Sequence, residues 1–378
     1  MDFSGGLYGF GLPFLAVLTA LVFVHELGHY LVARWNGVRV EVFSIGFGPE
    51  LFGWNDKAGT RWKFSLIPLG GYVKMFGDAN AASMPAEGGE HMSAEERAVA
   101  FPHKRLGQRA AIVAAGPIAN FLFAIVVLAG LFSIVGQPFT PAVVGEVVPG
   151  SAAEAGGFAS GDRIVTVDGR SIERFEELQR MVALRPGETL TFTVLRDGAQ
   201  IQIQATPERV AQDNNFGDRQ EVGRLGIQRS SAEFVQHDPL TAVWQATRET
   251  FSIIDTTFTA LGQIIRGDRG TEELGGPIRI AQMSGQAAEF GIVTVIHFAA
   301  MLSINLGLIN LFPVPMLDGG HLLFYAIEAV RGRPLGERAQ EYGFRIGLAL
   351  VLTLMVFVTW NDLLRIDSLV SFVKGLGT

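Results

Sequence analysis

The sequence predicts an α-helical membrane protein with about four transmembrane helices, a membrane-associated β-hairpin region and one α+β domain outside the membrane. Of its 378 residues, 48 % are hydrophobic and only 18 % are charged, whereas soluble globular proteins average about 25 % charged residues. The few charges avoid four stretches, and a membrane-spanning helix needs about 20 apolar residues. The absence of cysteine excludes disulfides and thiolate metal ligands, and a net charge of −7 argues against general nucleic-acid binding.

Residues 3–24, 110–145, 290–317 and 346–361 lack Asp, Glu, Lys and Arg. These runs predict transmembrane helices near residues 7–33, 109–135, 291–316 and 342–362. The first run lacks a basic leading segment and an A-x-A cleavage site, which favours a membrane helix over a signal peptide. Segment 34–109 has ten Lys/Arg against eight Asp/Glu, and segment 137–290 has fourteen against twenty-one. The positive-inside rule therefore places 34–109 in the cytoplasm and 137–290 outside.

The segments between these helices predict smaller elements. Residues 40–75 alternate in polarity and are rich in glycine and aromatics, which indicates β-hairpins. Residues 77–97 are typical of a mobile linker. Residues 240–266 have helical periodicity broken by three charges, which predicts an amphipathic helix on the outer membrane face.

The outer α+β domain is predicted from short strands and tight turns. VVGEVV (143–148) and RIVTVDG (163–169) are typical strands, residues 174–184 have helical periodicity, and Asp197-Gly198 marks a hairpin within 189–205. The predicted organisation is a first transmembrane helix (1–36), a β-hairpin region (37–76), a cytoplasmic linker and basic interfacial segment (77–108), a second transmembrane helix (109–136), the α+β domain (141–206), a polar connector with the amphipathic helix (207–290), a third transmembrane helix with an LDGG motif (291–321), a fourth (342–362) and a tail (363–378).

The motif H-E-L-G-H at 25–29 carries the clearest chemistry. His25 and His29 lie on one helix face and can bind one zinc ion. Glu26 then lies beside the metal, where it can take a proton from water that the metal activates. The three polar groups lie inside an apolar helix, where each ionisable side chain costs about 2.5–3.5 kcal/mol. Binding of zinc can offset that cost.

A catalytic zinc needs a third protein ligand, and Asp318 is the candidate. His25 lies about 27 Å along the first helix from residue 7, near the cytoplasmic face. Asp318 lies at the cytoplasmic end of the third span, so the topology predicts that both reach the same depth. Pro313 and Pro315 interrupt the helix just before it. His321 is a rival ligand, while His297 is better explained as a packed histidine.

Taken together, HELGH in the first span and N-x-x-P-x-P-x-L-D-G-G in the third resemble the site-2 protease family of intramembrane zinc metalloproteases (peptidase family M50), of the bacterial regulator of sigma-E protease type. Further matches are GFGPEL (46–51), IPLGGYVKM (67–75) and VAAGPIANF (113–121). The resemblance implies zinc ligation by His25, His29 and Asp318, catalysis by Glu26, a substrate-contacting Asn310 and a loop shaped by Pro313. It also implies a membrane-reentrant β-loop at 40–75, against the alternative of an ordinary cytoplasmic β-subdomain.

Substrate binding has further candidates. Unwound substrate can pair with an exposed β-edge, for which Gly70 and Gly71 are candidate contacts. In G-P-I-A-N, Gly116 and Asn120 share one helix face, which suits close packing, and Asn120 is also a candidate substrate contact. The segment GGFASGDRI (156–164) resembles bacterial PDZ modules, with 143–148 a possible strand that receives a peptide or C-terminus. Close relatives of the sigma-E protease type often carry two tandem PDZ domains, whereas this chain has room for one.

The resemblance implies an enzyme of the bacterial inner membrane, with zinc as cofactor, a periplasmic PDZ-like domain and an active site near the cytoplasmic face. The expected partners are the lipid bilayer and single-pass substrates that another protease has shortened, such as anti-sigma factors or signal-peptide remnants. Two other functions are weighed against it. A PDZ scaffold with a vestigial metal site is opposed by the intact HELGH and Asp318. A protease for soluble peptides is opposed by the position of HELGH within a span.

Overall fold

The computed structural model describes residues 7–78, 92–172, 174–213, 219–230, 233–267 and 275–364. Most of the linker predicted at 77–97 and nearly all of the tail predicted at 363–378 lie outside these residues. The chain divides into two units. The helical unit comprises Met1–Ala129, Val243–Thr259 and Glu272–Thr378, and the α+β unit comprises Gly130–Ala242 and Ala260–Thr271.

The helices are, in chain order, α1 (Leu12–Trp35), α2 (Ala94–Val99), α3 (Leu106–Ile134), α4 (Ala152–Gly156), α5 (Phe175–Ala183), α6 (Pro239–Arg266), α7 (Pro277–Glu289), α8 (Ile292–Asn310), α9 (Asp318–Arg331) and α10 (Glu337–Leu364). The strands are β1 (Val40–Asn55), β2 (Arg61–Met75), β3 (Gln137–Phe139), β4 (Val144–Val147), β5 (Arg163–Val167), β6 (Arg170–Ser171), β7 (Leu190–Arg196), β8 (Ala199–Ala205), β9 (Glu208–Asp213), β10 (Arg219–Arg224), β11 (Ile227–Arg229) and β12 (Glu233–Val235).

Four helices in the described part of the chain are long and apolar enough to cross a membrane, as the sequence predicts. They cover Gly9–Trp35, Leu106–Ile134, Ile292–Asn310 and Arg338–Leu363. A helix suits a lipid environment because it pairs its own backbone polar groups. The chain is therefore a helical membrane protein with an additional β-rich unit.

The third span ends earlier than predicted, and Asp318 does not lie at its end. Helix α8 ends at Asn310, residues 311–317 form a loop, and Asp318 is the first residue of α9. Pro313 and Pro315 explain the break, because proline lacks a backbone donor and disfavours helical geometry in the residue before it.

Residues 40–75 form β-structure, as predicted. In the β1–β2 register, residues 40–45 face 71–75, while residues 50–55 face 61–65. Phe43 and Trp62 stack with ring centroids 4.1 Å apart, and Tyr30 of α1 meets Trp62 edge-on at 5.1 Å. Such aromatic pairs contribute about 0.5–1.5 kcal/mol each. They hold the sheet against α1, with the last residues of β2 beside HELGH.

The α+β unit contains the predicted elements but extends beyond residue 206. Its four-stranded sheet has the order β6-β5-β7-β8, and Phe192, Ile164 and Leu178 are fully buried in its core. Leu225 belongs to the same core, and β11 pairs with β4. Part of the stretch predicted as a polar connector therefore completes the domain.

Strand β4 does not have the free edge expected of a peptide-receiving strand. One edge pairs with β11. On the other, the Val144 N–H donates to the Asp162 carbonyl at 2.8 Å, and the Gly161 N–H donates to the Val144 carbonyl at 2.8 Å. The chain after residue 206 returns to occupy one edge through β11, and residues 161–162 of the loop before β5 bond to Val144 on the other.

Helix α6 forms where the sequence predicts a helix, but it packs along α8. The Thr257 hydroxyl donates to Asn305 Oδ1 at 3.4 Å, and the rings of Phe258 and Phe312 lie 6.2 Å apart. Asn305 lies about 20 Å along α8 from Ile292. These contacts place the second half of α6 beside α8, and the position of α6 on the outer membrane face stays a prediction.

Candidate metal centre

Two imidazole rings of α1 form one side of the candidate site. His25 and His29 are both buried, and their rings meet edge-on with centroids 4.8 Å apart. Their Nε2 atoms lie 3.2 Å apart. This arrangement follows from the four-residue spacing, which puts both side chains on one helix face.

Asp318 brings a carboxylate to the same point from a distant part of the chain. Its Oδ2 atom lies 3.1 Å from His25 Nε2 and 3.5 Å from His29 Nε2. One ligand atom from each of the three residues lies within 4.8 Å of the other two. The break between α8 and α9 makes this approach possible, because the loop 311–317 separates Asp318 from the third span and lets its carboxylate turn toward the histidines.

The donor set and its hydrogen bonds fit zinc. Two imidazole nitrogens and one carboxylate oxygen are common zinc ligands, and a catalytic site leaves the fourth position open. His29 Nδ1 lies 2.9 Å from the Ile112 carbonyl. A carbonyl only accepts, so Nδ1 carries the proton and Nε2 keeps its lone pair. Asp318 Oδ2 is buried and faces the Nε2 atoms of both histidines, so the carboxylate charge and the two imidazole lone pairs converge where a cation would bind.

The centre opens into a cavity of about 190 Å³. Besides Glu26 and the three candidate ligands, its wall contains Gly71, Tyr72, Val73, Met75, Val113, Asn310, Met316, Leu317 and His321. The Val73 backbone N–H bonds to the Glu26 carboxylate. A Cβ at Gly71 would lie 2.8 Å from Val22 Cγ1 and 3.2 Å from Glu26 Cγ, so the lack of a side chain lets β2 pass close to α1.

The predicted substrate-binding residues do not all reach this cavity. Asn310 and Gly71 line it, whereas Gly70, Pro313 and Asn120 are not among its lining residues. Gly70 has a φ of 122° and lies against the Phe47 ring, and Pro313 lies in the loop before α9. The structure places Asn120 behind His25, with its side chain fully buried.

His321 and His297 have different surroundings. His321 lines the cavity, one helical turn after Asp318, but it is outside the cluster of three candidate ligands. His297 lies on α8 and does not line the cavity. His321, the alternative metal ligand that the sequence offers, therefore lies beside the candidate metal site and outside its ligand set.

Helix α3 contacts both imidazole rings, a feature beyond the close packing and the substrate contact that its sequence predicts. Gly116 faces the two histidines, and a Cβ there would lie 2.3 Å from His29 Nε2. Ile112 and Asn120, one turn to either side, each approach one imidazole Nδ1. The motif G-P-I-A-N is the sequence signal for this helix face, but its partners lie in another span.

The chain is similar to known proteins over nearly all of its length. The profile of peptidase family M50 matches residues 13–354. Two proteins that carry the name "putative zinc metalloprotease" are similar over nearly all of the chain. The one from Agrobacterium fabrum is 52 % identical over 368 residues, covering 96 % of this chain and 98 % of that protein. The one from Rhizobium meliloti is 50 % identical over 355 residues, covering 93 % and 95 %. Metalloprotease MmpA of Caulobacter vibrioides is 42 % identical over 388 residues, covering 96 % and 97 %.

Proposed function

The chain belongs to peptidase family M50 and is a zinc metalloprotease of the site-2 protease family, and from this premise we propose that it cleaves transmembrane segments of single-pass proteins within the bilayer. One observation carries the proposal. His25, His29 and Asp318 converge, and the two histidines lie inside a helix long and apolar enough to span a membrane. A protease for soluble peptides has no need to place its chemistry at that depth.

In this proposal His25, His29 and Asp318 hold the zinc. Zinc, when bound, supplies a Lewis acid that polarises the scissile carbonyl and acidifies water. Glu26 is the general base: its carboxylate accepts a proton from the attacking water and returns it to the leaving amine. The Val73 N–H holds that carboxylate, so the backbone of β2 orients the base.

The substrate segment must unwind before hydrolysis, because a helix buries its own backbone groups. We infer that it pairs with the edge of β2 at residues 71–75, since Gly71, Tyr72 and Val73 line the cavity beside Glu26. Strand addition supplies main-chain hydrogen bonds that do not depend on the substrate's sequence. Gly70, with a φ of 122°, directly precedes this edge, and Asn310 contacts the substrate from the cavity wall.

The proposed substrates are single-pass proteins already shortened outside by another protease, such as anti-sigma factors or signal-peptide remnants. The location that suits them is the bacterial inner membrane, with the active site near the cytoplasmic face. Support for this orientation comes from the Lys/Arg of segment 34–109, where Lys104, Arg105 and Arg109 abut the second span, because the positive-inside rule counts basic residues near the ends of spans. Asn120 and Pro313 do not line the cavity. They are proposed to affect substrate binding only through the residues that form its walls.

The α+β unit is proposed to be a PDZ-like domain that binds a peptide or C-terminus in the periplasm. A groove of about 970 Å³ runs between α5 and residues 222–228. Leu178 and Val182 of α5 and Ile227 of β11 line it. We infer that β11, rather than β4, receives the peptide, because β4 is paired on both edges.

The variant Glu26→Gln tests the proposed chemistry. Purified protein in lipid vesicles is given a single-pass substrate with a short outer segment and, separately, a soluble peptide of the same sequence. Removing a general base costs about 10²–10⁴-fold in rate, so Glu26→Gln should lose cleavage by that factor while its zinc content is unchanged. Glu289→Gln, at an exposed position on α7, is the matched control and should cleave normally. Retained turnover in Glu26→Gln, or cleavage of the soluble peptide alone, would contradict the proposal.

A further inference from the structure

Asn120 has an environment unlike that of a substrate contact. Its side chain is fully buried in α3, and its Nδ2 atom lies 3.1 Å from His25 Nδ1. It does not line the cavity that contains Glu26. Any effect of Asn120 on the reaction must therefore pass through His25.

The position of the proton on His25 decides whether this residue binds a metal. Its Nε2 atom faces His29 and Asp318, so zinc requires the lone pair of Nε2. In a neutral imidazole the proton is then on Nδ1 and needs an acceptor. The amide of Asn120 is the group at hydrogen-bond distance from that atom.

An amide supplies either a donor or an acceptor, depending on its rotation. With Nδ2 toward His25, Asn120 Oδ1 is a buried oxygen without a hydrogen-bond partner among the described residues. A half-turn of the amide presents Oδ1 to His25 instead, where it accepts from the Nδ1–H. Only this second orientation leaves Nε2 free for zinc.

His29 is held in the same way from the same helix. Its Nδ1 donates to the Ile112 carbonyl at 2.9 Å. Ile112 and Asn120 lie one turn before and one turn after Gly116, so all three share one face of α3. We propose that Asn120 is a positioning residue that holds His25 in the tautomer and orientation required for zinc. This inference rests on the zinc site of the proposed function.

Substitutions at position 120 separate hydrogen bonding from packing. Asn120→Leu keeps the approximate volume but removes the acceptor, and loss of such a partner typically costs 10–100-fold in metal affinity. Asn120→Asp keeps an acceptor and should retain zinc within a few-fold of wild type. Ser303→Ala is the matched control: Ser303 Oγ is buried and donates to the backbone carbonyl of Asn120 at 2.9 Å, so this variant disturbs the packing of Asn120 without removing the acceptor for His25.

The readouts are the zinc dissociation constant, from chelator competition on full-length protein in detergent, and the visible spectrum of the cobalt-substituted protein. The expected result is weaker zinc binding and an altered cobalt spectrum in Asn120→Leu, with both restored in Asn120→Asp and unchanged in Ser303→Ala. Wild-type affinity in Asn120→Leu, or an equal loss in Ser303→Ala, would overturn the inference while leaving the zinc site intact. A wild-type protein that binds no stoichiometric zinc would refute the zinc site itself, and the positioning role with it.

Discussion

Gly116→Ala perturbs the candidate metal centre without removing any of its ligands. A Cβ at this position would lie 2.3 Å from His29 Nε2 and 2.9 Å from His25 Cε1. Ordinary van der Waals contact begins at about 3.4 Å, so the His29 ring must retreat by about 1 Å. The ring has little freedom to do so, since its Nδ1 is hydrogen-bonded to the Ile112 carbonyl.

This displacement is large on the scale of metal coordination. Ligand distances are held within about 0.2 Å, so a shift of about 1 Å takes His29 out of the coordination sphere. Losing a ligand should cost at least as much as losing a strong orienting partner, about 100-fold in zinc affinity. That factor corresponds to about 2.8 kcal/mol. The helix itself should gain, because alanine is favoured over glycine in a helix interior by about 1 kcal/mol.

The assay is chelator competition for zinc, with circular dichroism to show that the helices persist. Gly130→Ala is the matched control, since Gly130 lies in the same helix and a Cβ there meets nothing within 4 Å. This control should keep wild-type zinc affinity. If Gly116→Ala also bound zinc as tightly as wild type, two statements would be refuted: that the new Cβ displaces the His29 ring, and that His29 is a zinc ligand at this position.

Three further outcomes follow from the structure. Gly71→Ala should lower the cleavage rate at least about tenfold with zinc content unchanged, because the new Cβ would lie 2.7 Å from the Ser44 carbonyl oxygen, 2.8 Å from Val22 Cγ1 and 3.2 Å from Glu26 Cγ, which displaces the β2 edge and the general base; an unchanged rate would contradict the role of the β2 edge. Asp362→Ala should lower the free energy of unfolding by about 1–2 kcal/mol, because this carboxylate accepts two backbone N–H groups at the start of α7, each at 3.0 Å. Denaturant titration in detergent measures this, and Asp362→Asn, which keeps an acceptor, should lose clearly less. In the α+β unit, burial opposes ionisation of Asp162, but the hydrogen bonds from Arg196 outweigh it and hold its pKa below the usual value. A pKa lowered in the folded state adds stability that is complete above the unfolded pKa of about 3.9 and fades as pH falls below it. Hydrogen exchange, corrected for intrinsic rates, should therefore show constant protection from pH 7 to about 5 and loss below about 4. Arg196→Met removes the hydrogen bonds that lower this pKa, so the variant should have lower protection at pH 7 and a smaller loss below about pH 4.

Features that depend on short stretches of chain could be predicted from the sequence. The four spans follow from runs of apolar residues, and the hairpin turn at Asp197-Gly198 follows from residues that tolerate positive φ, 51° and 82° here. The pair His25 and His29 follows from helical spacing, which fixes both side chains on one face whatever surrounds them.

Other features needed the tertiary structure because their partners are far apart in sequence. The sequence predicts that the α+β domain ends at residue 206, but Leu225 completes its core, and no local pattern in a polar stretch signals that return. The sequence also predicts a helix break at Pro313 and Pro315, but the helix already ends at Asn310, and a new helix begins at Asp318.

The sequence by itself determined that this is a membrane-spanning chain with two histidines and a glutamate on one buried helix turn, because spacing along a helix is local geometry. The tertiary structure alone decided that Asp318 meets those histidines at 3.1 and 3.5 Å. It also decided that α3 supplies the groups that orient both imidazoles, the Ile112 carbonyl and the Asn120 amide. The reason is physical: a contact between helices depends on how their faces pack, and packing depends on all the helices together rather than on the residues of any one of them.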